Sequence, residues 1–140
     1  MGSLEHAKTE LLDFSTLEWK ESSSYLNYSE VYSFATFFYQ HDFYVVGGRT
    51  KNEVLSAVTI FNPITEKWTE IGKLKFPRYD HTIEVIGDKL YIIGGSETFE
   101  YCDLLSDFGC SVLTNAKFEQ KDYPKLYGFY PSKCELGTFQ

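Results

Sequence analysis

The chain has 140 residues, 43% of them hydrophobic and 18% aromatic, and its net charge is −7. Asp and Glu outnumber Lys and Arg by 20 to 13, which argues against a nucleic-acid partner because phosphate binding depends on clustered basic side chains. No apolar run approaches the roughly 18 residues of a membrane helix, and the first eight residues lack the apolar core of a secretory signal. We therefore expect no nucleic-acid or membrane partner, and we favour a cytoplasmic location while leaving an extracellular one open.

The first segments in chain order are a polar stretch and then an amphipathic one. Residues 1–8 are predicted to be a disordered lead-in. Residues 9–21 alternate apolar and polar side chains around a Ser15-Thr16 turn and end near Trp19, which predicts two paired strands. We interpret these strands as the closing part of an incomplete sheet.

A strand that ends in a glycine pair occurs twice, at residues 43–48 and 90–95, and the pairs are 94 − 47 = 47 residues apart. After the first pair, a second strand pair turns at Asn62-Pro63 and closes at Trp68. Strand repeats with a period near ~50 residues are typical of the blades of a β-propeller. The predicted fold is therefore all-β.

The second copy carries its own turn and closing signals. Ile86-Gly87-Asp88-Lys89 predicts a tight hairpin turn, and Gln40-His41-Asp42 occupies the same place in the first copy. Residues 110–118 are predicted to be a weaker strand, turn and outer strand in which Phe118 replaces the tryptophan. Leu113 and Phe118 have the spacing of Phe14 and Trp19.

These motifs resemble the kelch repeat, with Pro77-Arg78, Tyr91, Gly94-Gly95 and Phe118 in one copy and Tyr44, Gly47-Gly48, Phe61 and Trp68 in the other. The resemblance implies a partial kelch-type propeller of about two four-stranded antiparallel blades, with incomplete strands at both ends. The predicted divisions are residues 31–77 for the first repeat, 78–121 for the second, and 122–140 for the start of a further blade or a tail. We interpret the chain as a fragment of a longer product, because kelch propellers resemble closed rings of about six blades.

The resemblance also implies a partner-binding face. In kelch adaptors, arginines matching Arg49 and Arg78 line the face that clamps an acidic peptide segment bidentately. The alternative is that Arg78 pins a loop carbonyl or a nearby carboxylate such as Asp80. The remaining candidate surface residues are Tyr79, Thr50, Lys51, Asn52, Ser96, Glu97 and Thr98.

No arrangement of catalytic residues is visible in the sequence. The three histidines are far apart, and His41 and His81 are predicted to be structural or solvent-facing rather than catalytic or metal-binding. No phosphate-binding or dinucleotide-binding motif occurs, so we expect no cofactor. Cys102 and Cys110 flank a short loop and could pair across a hairpin, or they could remain thiols in a cytosolic propeller.

Three functions compete at this point. The leading interpretation is a non-catalytic module that binds a protein partner through its loops, as a ubiquitin-ligase substrate receptor or a cytoskeletal adaptor. The second is a secreted adhesion or matrix propeller, favoured by the cysteines and by the Asn27-Tyr28-Ser29 glycosylation triplet. The third is a fragment of a propeller enzyme, whose activity would need residues from several blades. Fold does not decide among them.

Overall fold

A computed structural model describes residues 8–117, and all of the regular secondary structure in this range is β-strand. No helix in this range is long and apolar enough to cross a membrane. The ten strands are β1 (Glu10–Asp13), β2 (Glu18–Glu21), β3 (Ala35–Tyr39), β4 (Asp42–Val46), β5 (Ala57–Asn62), β6 (Lys67–Lys73), β7 (Thr82–Ile86), β8 (Lys89–Ile93), β9 (Thr98–Asp103) and β10 (Cys110–Lys117).

The strands form three antiparallel sheets in which neighbours in sequence are neighbours in space. Strands β1 and β2 form a two-stranded sheet, β3–β6 a four-stranded sheet that we call blade 1, and β7–β10 a four-stranded sheet that we call blade 2. The predicted all-β class, with two four-stranded blades and an incomplete sheet before them, is confirmed. The further strands expected at the C-terminal end lie outside the described residues.

The 47-residue repeat extends to the backbone conformation. The hairpin turn between β3 and β4 has positive φ at Gln40 (54°), and that between β7 and β8 has it at Gly87 (62°), 87 − 40 = 47 residues later. Ser33 and Asp80, also 80 − 33 = 47 residues apart, have φ of 53° and 51°. Both hairpin turns predicted from the sequence are confirmed. These two positive-φ positions thus recur in both blades, although His41 (φ 118°) adds a second one to the first hairpin turn only.

The turns that lead to the outer strands share one capping device. Asn62 Oδ1 accepts hydrogen bonds from the backbone N–H groups of Ile64 (3.0 Å) and Thr65 (2.9 Å). Asp13 and Asp103 make the equivalent bonds to the residues two and three positions after them. Such side chains stabilise a turn by replacing backbone hydrogen bonds that the turn leaves open. The same capping therefore precedes the outer strand in all three sheets, although residues 104–109 form a longer connection in blade 2 than residues 63–66 in blade 1.

The apolar core lies between the two blades. Alternate residues of a strand point to one face, so Tyr44 and Val46 of β4 lie on the same side of blade 1 as Val58 of β5. This face packs against the face of blade 2 that carries Leu90 and Ile92. Burial of these side chains is the main contribution to the association of the blades, at about 1.5–3 kcal/mol for each large aliphatic or aromatic side chain.

The two-stranded sheet packs beside blade 1 on its other face. The indole N–H of Trp68 donates to the hydroxyl of Thr9 at 2.9 Å, and Lys20 forms an ion pair with Glu66. Trp19 occupies in this sheet the position of Trp68, since it lies opposite Leu12 as Trp68 lies opposite Phe61. Its side chain is 67% exposed. The equivalent tryptophans therefore have different surroundings in neighbouring sheets.

The prediction for residues 110–118 is wrong. These residues do not form a strand, a turn and an outer strand, because Cys110–Lys117 is the single strand β10, which pairs with β9. The residue opposite Cys102 in this pairing is Cys110, as Trp68 is opposite Phe61 in blade 1. Phe118 itself lies outside the described residues. The place of the tryptophan is thus taken by a cysteine.

Candidate interaction surface

Several loops meet at one edge of the two blades. Ala35 pairs with Val46, and Ala57 pairs with Lys73, so the segments that precede β3, join β4 to β5 and follow β6 emerge at the same end of blade 1. An isolated bridge joins Tyr32 to Arg49, which confirms that these segments touch. We call this end the upper edge; it comprises residues 30–34, 47–56, 74–81 and 94–97.

Arg49 is an exposed cation of the upper edge. Its backbone N–H donates to the Tyr32 carbonyl at 2.9 Å and its carbonyl accepts from the Tyr32 N–H at 2.8 Å, which fixes the start of the side chain. The guanidinium lies 4.9 Å from the centre of the Tyr79 ring. Such a cation–π contact contributes about 0.5–1 kcal/mol at an exposed site. Arg49 and Tyr79, both predicted as partner-binding residues, are thus brought together across the two blades.

The loop that follows Arg49 has a closed base and an exposed tip. The Thr50 hydroxyl oxygen accepts hydrogen bonds from the N–H groups of Asn52 (3.2 Å) and Glu53 (3.1 Å). Leu55 N–H donates to the Gly48 carbonyl at 2.8 Å and closes the base. The predicted residues Lys51 and Asn52 lie at the exposed tip. The structure therefore presents them on a loop that its own hydrogen bonds hold in shape.

The equivalent loop of blade 2 is shorter. Only residues 94–97 separate β8 from β9, whereas residues 47–56 separate β4 from β5. Glu97 is exposed, and the Ser96 hydroxyl hydrogen-bonds within the loop to the Thr98 hydroxyl at 3.2 Å. These predicted residues share the upper edge with Arg49, but Ser96 serves its own loop.

Arg78 does not lie on the surface, so its prediction as a partner-binding residue needs correction. Its side chain is 0% exposed and forms an ion pair with the equally buried Glu100. Its Nη1 donates to the carbonyls of Gly94 and Thr98, both at 2.9 Å. The guanidinium therefore binds these partners rather than Asp80. Additional blades would cover more surface and would not expose it. Arg78 is the internal anchor that the sequence left as the alternative.

The backbone of Arg78 holds blade 1 while its side chain holds blade 2. Gly48 N–H donates to the Arg78 carbonyl at 2.8 Å, and Arg78 N–H donates to the Leu55 carbonyl at 3.1 Å. Glu100 also accepts from the N–H groups of Lys75 and Phe76, at 2.5 and 3.3 Å. The pair Arg78–Glu100 thus organises the crossing between the blades, directly beneath Tyr79.

Glu100 was not identified in the sequence as a functional or structural residue. The available signal is its position in β9, where a carboxylate occurs within the otherwise apolar run Phe99-Glu100-Tyr101-Cys102. A charge in such a strand is rarely buried unless it is paired. Together with an arginine in the preceding crossing, this pattern could have indicated the ion pair.

His81 is buried beside the same crossing. Among the described residues, neither ring nitrogen makes a hydrogen bond of good geometry, although the backbone of Val46 lies close to the ring. Burial, aided by the nearby charge of Arg78, lowers the pKa of His81 to about 4, while the Val46 backbone and then Asp80 act weakly in the opposite direction. The imidazole is therefore neutral near pH 7, and it has no paired nucleophile in the described part of the chain.

Cys102 and Cys110 are joined by a disulfide in the structure. The bond links β9 to β10 and lies in the core between the blades. In blade 1 the equivalent positions hold Phe61 and Trp68, whose ring centres are 4.9 Å apart. A covalent bond thus replaces an aromatic contact at the same place in the second blade.

Comparisons with known proteins agree with this architecture. A sequence model of the Kelch motif matches residues 30–75. Rat Kelch-like protein 7 is 34% identical over 65 residues, which are 42% of this chain and 11% of that protein. The Kelch repeat and BTB domain-containing protein 1 of ectromelia virus is 31% identical over 101 residues, which are 66% of this chain and 16% of that protein.

The structure of YjhT is similar with a TM-score of 0.67 at 14% identity, over 84% of this chain and 45% of that one. At this identity the similarity supports the fold alone, which is the predicted propeller type. The chain spans about a tenth of the length of the first curated relatives, since it covers 11% of each. The matched Kelch motif lies within the first of two four-stranded antiparallel blades, so the motif and the architecture agree with the resemblance to the kelch repeat.

Proposed function

We propose that the chain is a non-catalytic interaction module that binds a protein segment on its upper edge, with Arg49 stacked on Tyr79 as the anchor. The observation that carries this proposal is the state of the Arg49 guanidinium. It is held over Tyr79, it is exposed, and it makes no hydrogen bond or ion pair with the described residues. Arginine and tyrosine are enriched at interaction surfaces because they combine area with directed hydrogen bonds.

The chemistry of the edge favours a segment that carries a carboxylate. A guanidinium can donate two parallel hydrogen bonds to one carboxylate, and Lys51 adds a second cation at the loop tip. With Arg78 buried, the other cations of the upper edge are Lys51 and Lys75, and its carboxylates are Glu30, Glu53, Asp80 and Glu97. The preference for a carboxylate therefore comes from the guanidinium of Arg49 and not from the net charge of the edge. The proposed partner is therefore a protein segment that carries an acidic residue and apolar side chains. Phe34 and Val54 can contact the apolar side chains because both are partly exposed.

Binding to a peptide array of random sequences tests the proposal on the full chain. We expect the wild-type chain to retain peptides with Asp or Glu, and Arg49→Ala to bind the same peptides about 1.5–3 kcal/mol more weakly, the range for hydrogen bonds to charged groups. Arg49→Lys keeps the charge without the planar fork and should recover only part of the affinity.

The matched control is Lys67→Ala, which removes an exposed cation of blade 1 at the opposite end of the strands. It should leave peptide binding unchanged. Thermal unfolding should differ little among the three variants, because an exposed cation–π contact contributes only about 0.5–1 kcal/mol. Equal retention of the selected peptides by wild type and Arg49→Ala, with both folded, would eliminate Arg49 as the anchor.

Substrate receptor of a ubiquitin ligase and cytoskeletal adaptor are both roles that such an edge could serve. A secreted adhesion or matrix role is the second candidate, favoured by the Cys102–Cys110 disulfide and by the exposed Asn27 of its glycosylation triplet. Disulfides persist in oxidising compartments, so the location of the tagged protein in its own cell separates these roles. A reducing compartment would remove the secreted one.

A further inference from the structure

We propose that the Cys102–Cys110 disulfide is a redox latch that holds β10 and Phe108 against the rest of the core, and that a dithiol reductant opens it. This inference is independent of the upper edge and of any partner. It rests on the position of the bond, on the short pairing of β10, and on the packing of the segment that precedes Cys110.

The first observation is that the bond takes over a packing position. Cys102 and Cys110 lie opposite each other as Phe61 and Trp68 do in blade 1. Two large rings can hold an outer strand through their buried area, since each aromatic side chain buries about 150–250 Å². Two cysteine side chains are much smaller. Once reduced, blade 2 would therefore hold its outer strand with less apolar contact than blade 1.

The second observation is the interrupted pairing of β10. Its continuous register with β9 covers only Cys110 to Val112, after which the register shifts before Lys117. In blade 1, the β5 residues Thr59 to Asn62 pair continuously with β6. The pairing resumes at Val58 and Ala57, on the other side of one irregularity. The pairing of β10 with β9 is therefore broken by an irregularity after three residue pairs and resumes only at Lys117. The covalent bond lies at the start of this short paired segment.

The third observation connects the latch to blade 1. Phe108, two residues before Cys110, is buried with a φ of 51° and belongs to the core between the blades. A side-chain carbon placed on Gly72 of β6 would meet its ring at 3.0 Å, and its ring centre lies 6.5 Å from that of Tyr44. Release of β10 would therefore also loosen Phe108 from blade 1.

Opening follows ordinary thiol–disulfide exchange. A thiolate of the reductant attacks Sγ of Cys110, which is 7% exposed while Cys102 is 0% exposed. A bond forms from the reductant to Cys110, the Cys102–Cys110 bond breaks, and the Cys102 thiolate takes a proton. The second thiol of the reductant then displaces the Cys110 thiol and closes its own disulfide. Two electrons and two protons pass from the dithiol to the protein.

Hydrogen exchange measured by mass spectrometry tests the latch on the full chain carrying Cys134→Ser, before and after treatment with dithiothreitol. A gain of two hydrogen atoms in mass verifies the reduction. Peptides covering residues 104–113 should then exchange roughly ten- to hundredfold faster, because a disulfide across a short loop shifts the opening equilibrium by such a factor. Peptides of the two-stranded sheet, covering residues 10–21 on the other face of blade 1, are the internal control and should change much less.

The double variant Cys102→Val with Cys110→Val provides the second arm. It should exchange in this segment like the reduced protein and should not respond to dithiothreitol. Unchanged exchange at residues 104–113 after verified reduction would overturn the latch. So would thiol mapping that finds Cys102 and Cys110 unjoined in protein purified without reductant. Should the double variant not fold, the comparison of oxidised and reduced protein still decides.

Discussion

Blade 1 and blade 2 have the same strand order and share positive φ at two turn positions, yet different chemistry holds them. Blade 2 has the buried ion pair Arg78–Glu100. The position of Arg78 in the repeat is held in blade 1 by Val31, since 78 − 47 = 31. The position of Glu100 is held by Thr59, because Thr59 pairs with Val45 as Glu100 pairs with Ile92. Where blade 1 has an aromatic contact, blade 2 has a disulfide. What recurs is backbone geometry.

This difference shows which features the fold demands. Positive φ at the hairpin turns and before β3 and β7 recurs because it determines where the strands go. The side chains between strands need only fill the space and satisfy the polar groups there. Blade 2 carries two buried charges and a covalent bond at positions where blade 1 has uncharged side chains. The comparison predicts that blade 2 is more sensitive to single substitutions.

The largest expected effect is the loss of one partner of the buried ion pair. Glu100→Ala leaves the Arg78 charge uncompensated inside the protein, so we expect the free energy of unfolding to fall by about 3–5 kcal/mol. Urea unfolding measures it. The matched variant Arg78→Val with Glu100→Thr installs the residues of blade 1 and should recover part of this loss, because no charge is then buried. A loss below about 1 kcal/mol for Glu100→Ala, the value of an exposed pair, would contradict the internal anchor.

The next effect concerns the glycine pairs. At Gly95, φ is 66° and an added side-chain carbon would lie 2.3 Å from the backbone carbonyl oxygen of Tyr79, so Gly95→Ala requires the crossing to move. We expect it to destabilise the protein by about 2–5 kcal/mol, from backbone strain and overpacking together.

Gly87→Ala is the control, since φ is 62° but no atom lies within 4 Å of the added side-chain carbon. Its cost should be about 1–2 kcal/mol, from the backbone alone. Equal costs in thermal unfolding would show that the close approach is unimportant.

The smallest effect is a pH dependence from His81. Its pKa is about 4 in the folded protein and 6.5 in the reference state, so the unfolded chain binds more protons between these values. Stability is therefore fully present above about pH 6.5 and falls as the pH drops towards 4, by up to about 3 kcal/mol. His81→Phe, which copies Phe34 of blade 1, should show a shallower loss of stability between pH 7 and 5. Parallel curves for both proteins would contradict this origin.

Much of the fold follows from residues whose conformational demands are local. Gly47 and Gly94, with the turns at Gln40 and Gly87, are visible as residue types at fixed spacing, and the strands between them alternate as expected. The outer half of blade 2 could not be placed in this way. Its loop after β8 has six residues fewer than that of blade 1, residues 94–97 against 47–56, so the 47-residue spacing fails beyond it. The missing aromatic pair removed the signal that would have revealed the shift.

The candidate site was predictable in part for a related reason. Position after a glycine pair indicated that Arg49 lies in an exposed loop, and the loop residues Lys51 and Asn52 follow from it. The burial of Arg78 depends on Glu100, which is 100 − 78 = 22 residues away and reaches it only when β9 packs beneath the crossing. A motif identifies an arginine, but the contact that decides its role is made in three dimensions.

The loop after Arg49 gives the upper edge a place that can change at low cost. Its ends are joined by the Arg49–Val54 bridge and the Leu55–Gly48 hydrogen bond, so the tip at Lys51 and Asn52 is separated from the strands. Lengthening such a loop costs only about 0.6 kcal/mol for each doubling of its length. Insertions at this tip could therefore alter partner choice during evolution or by design, while the shorter loop of blade 2, closed around Arg78, offers no comparable room.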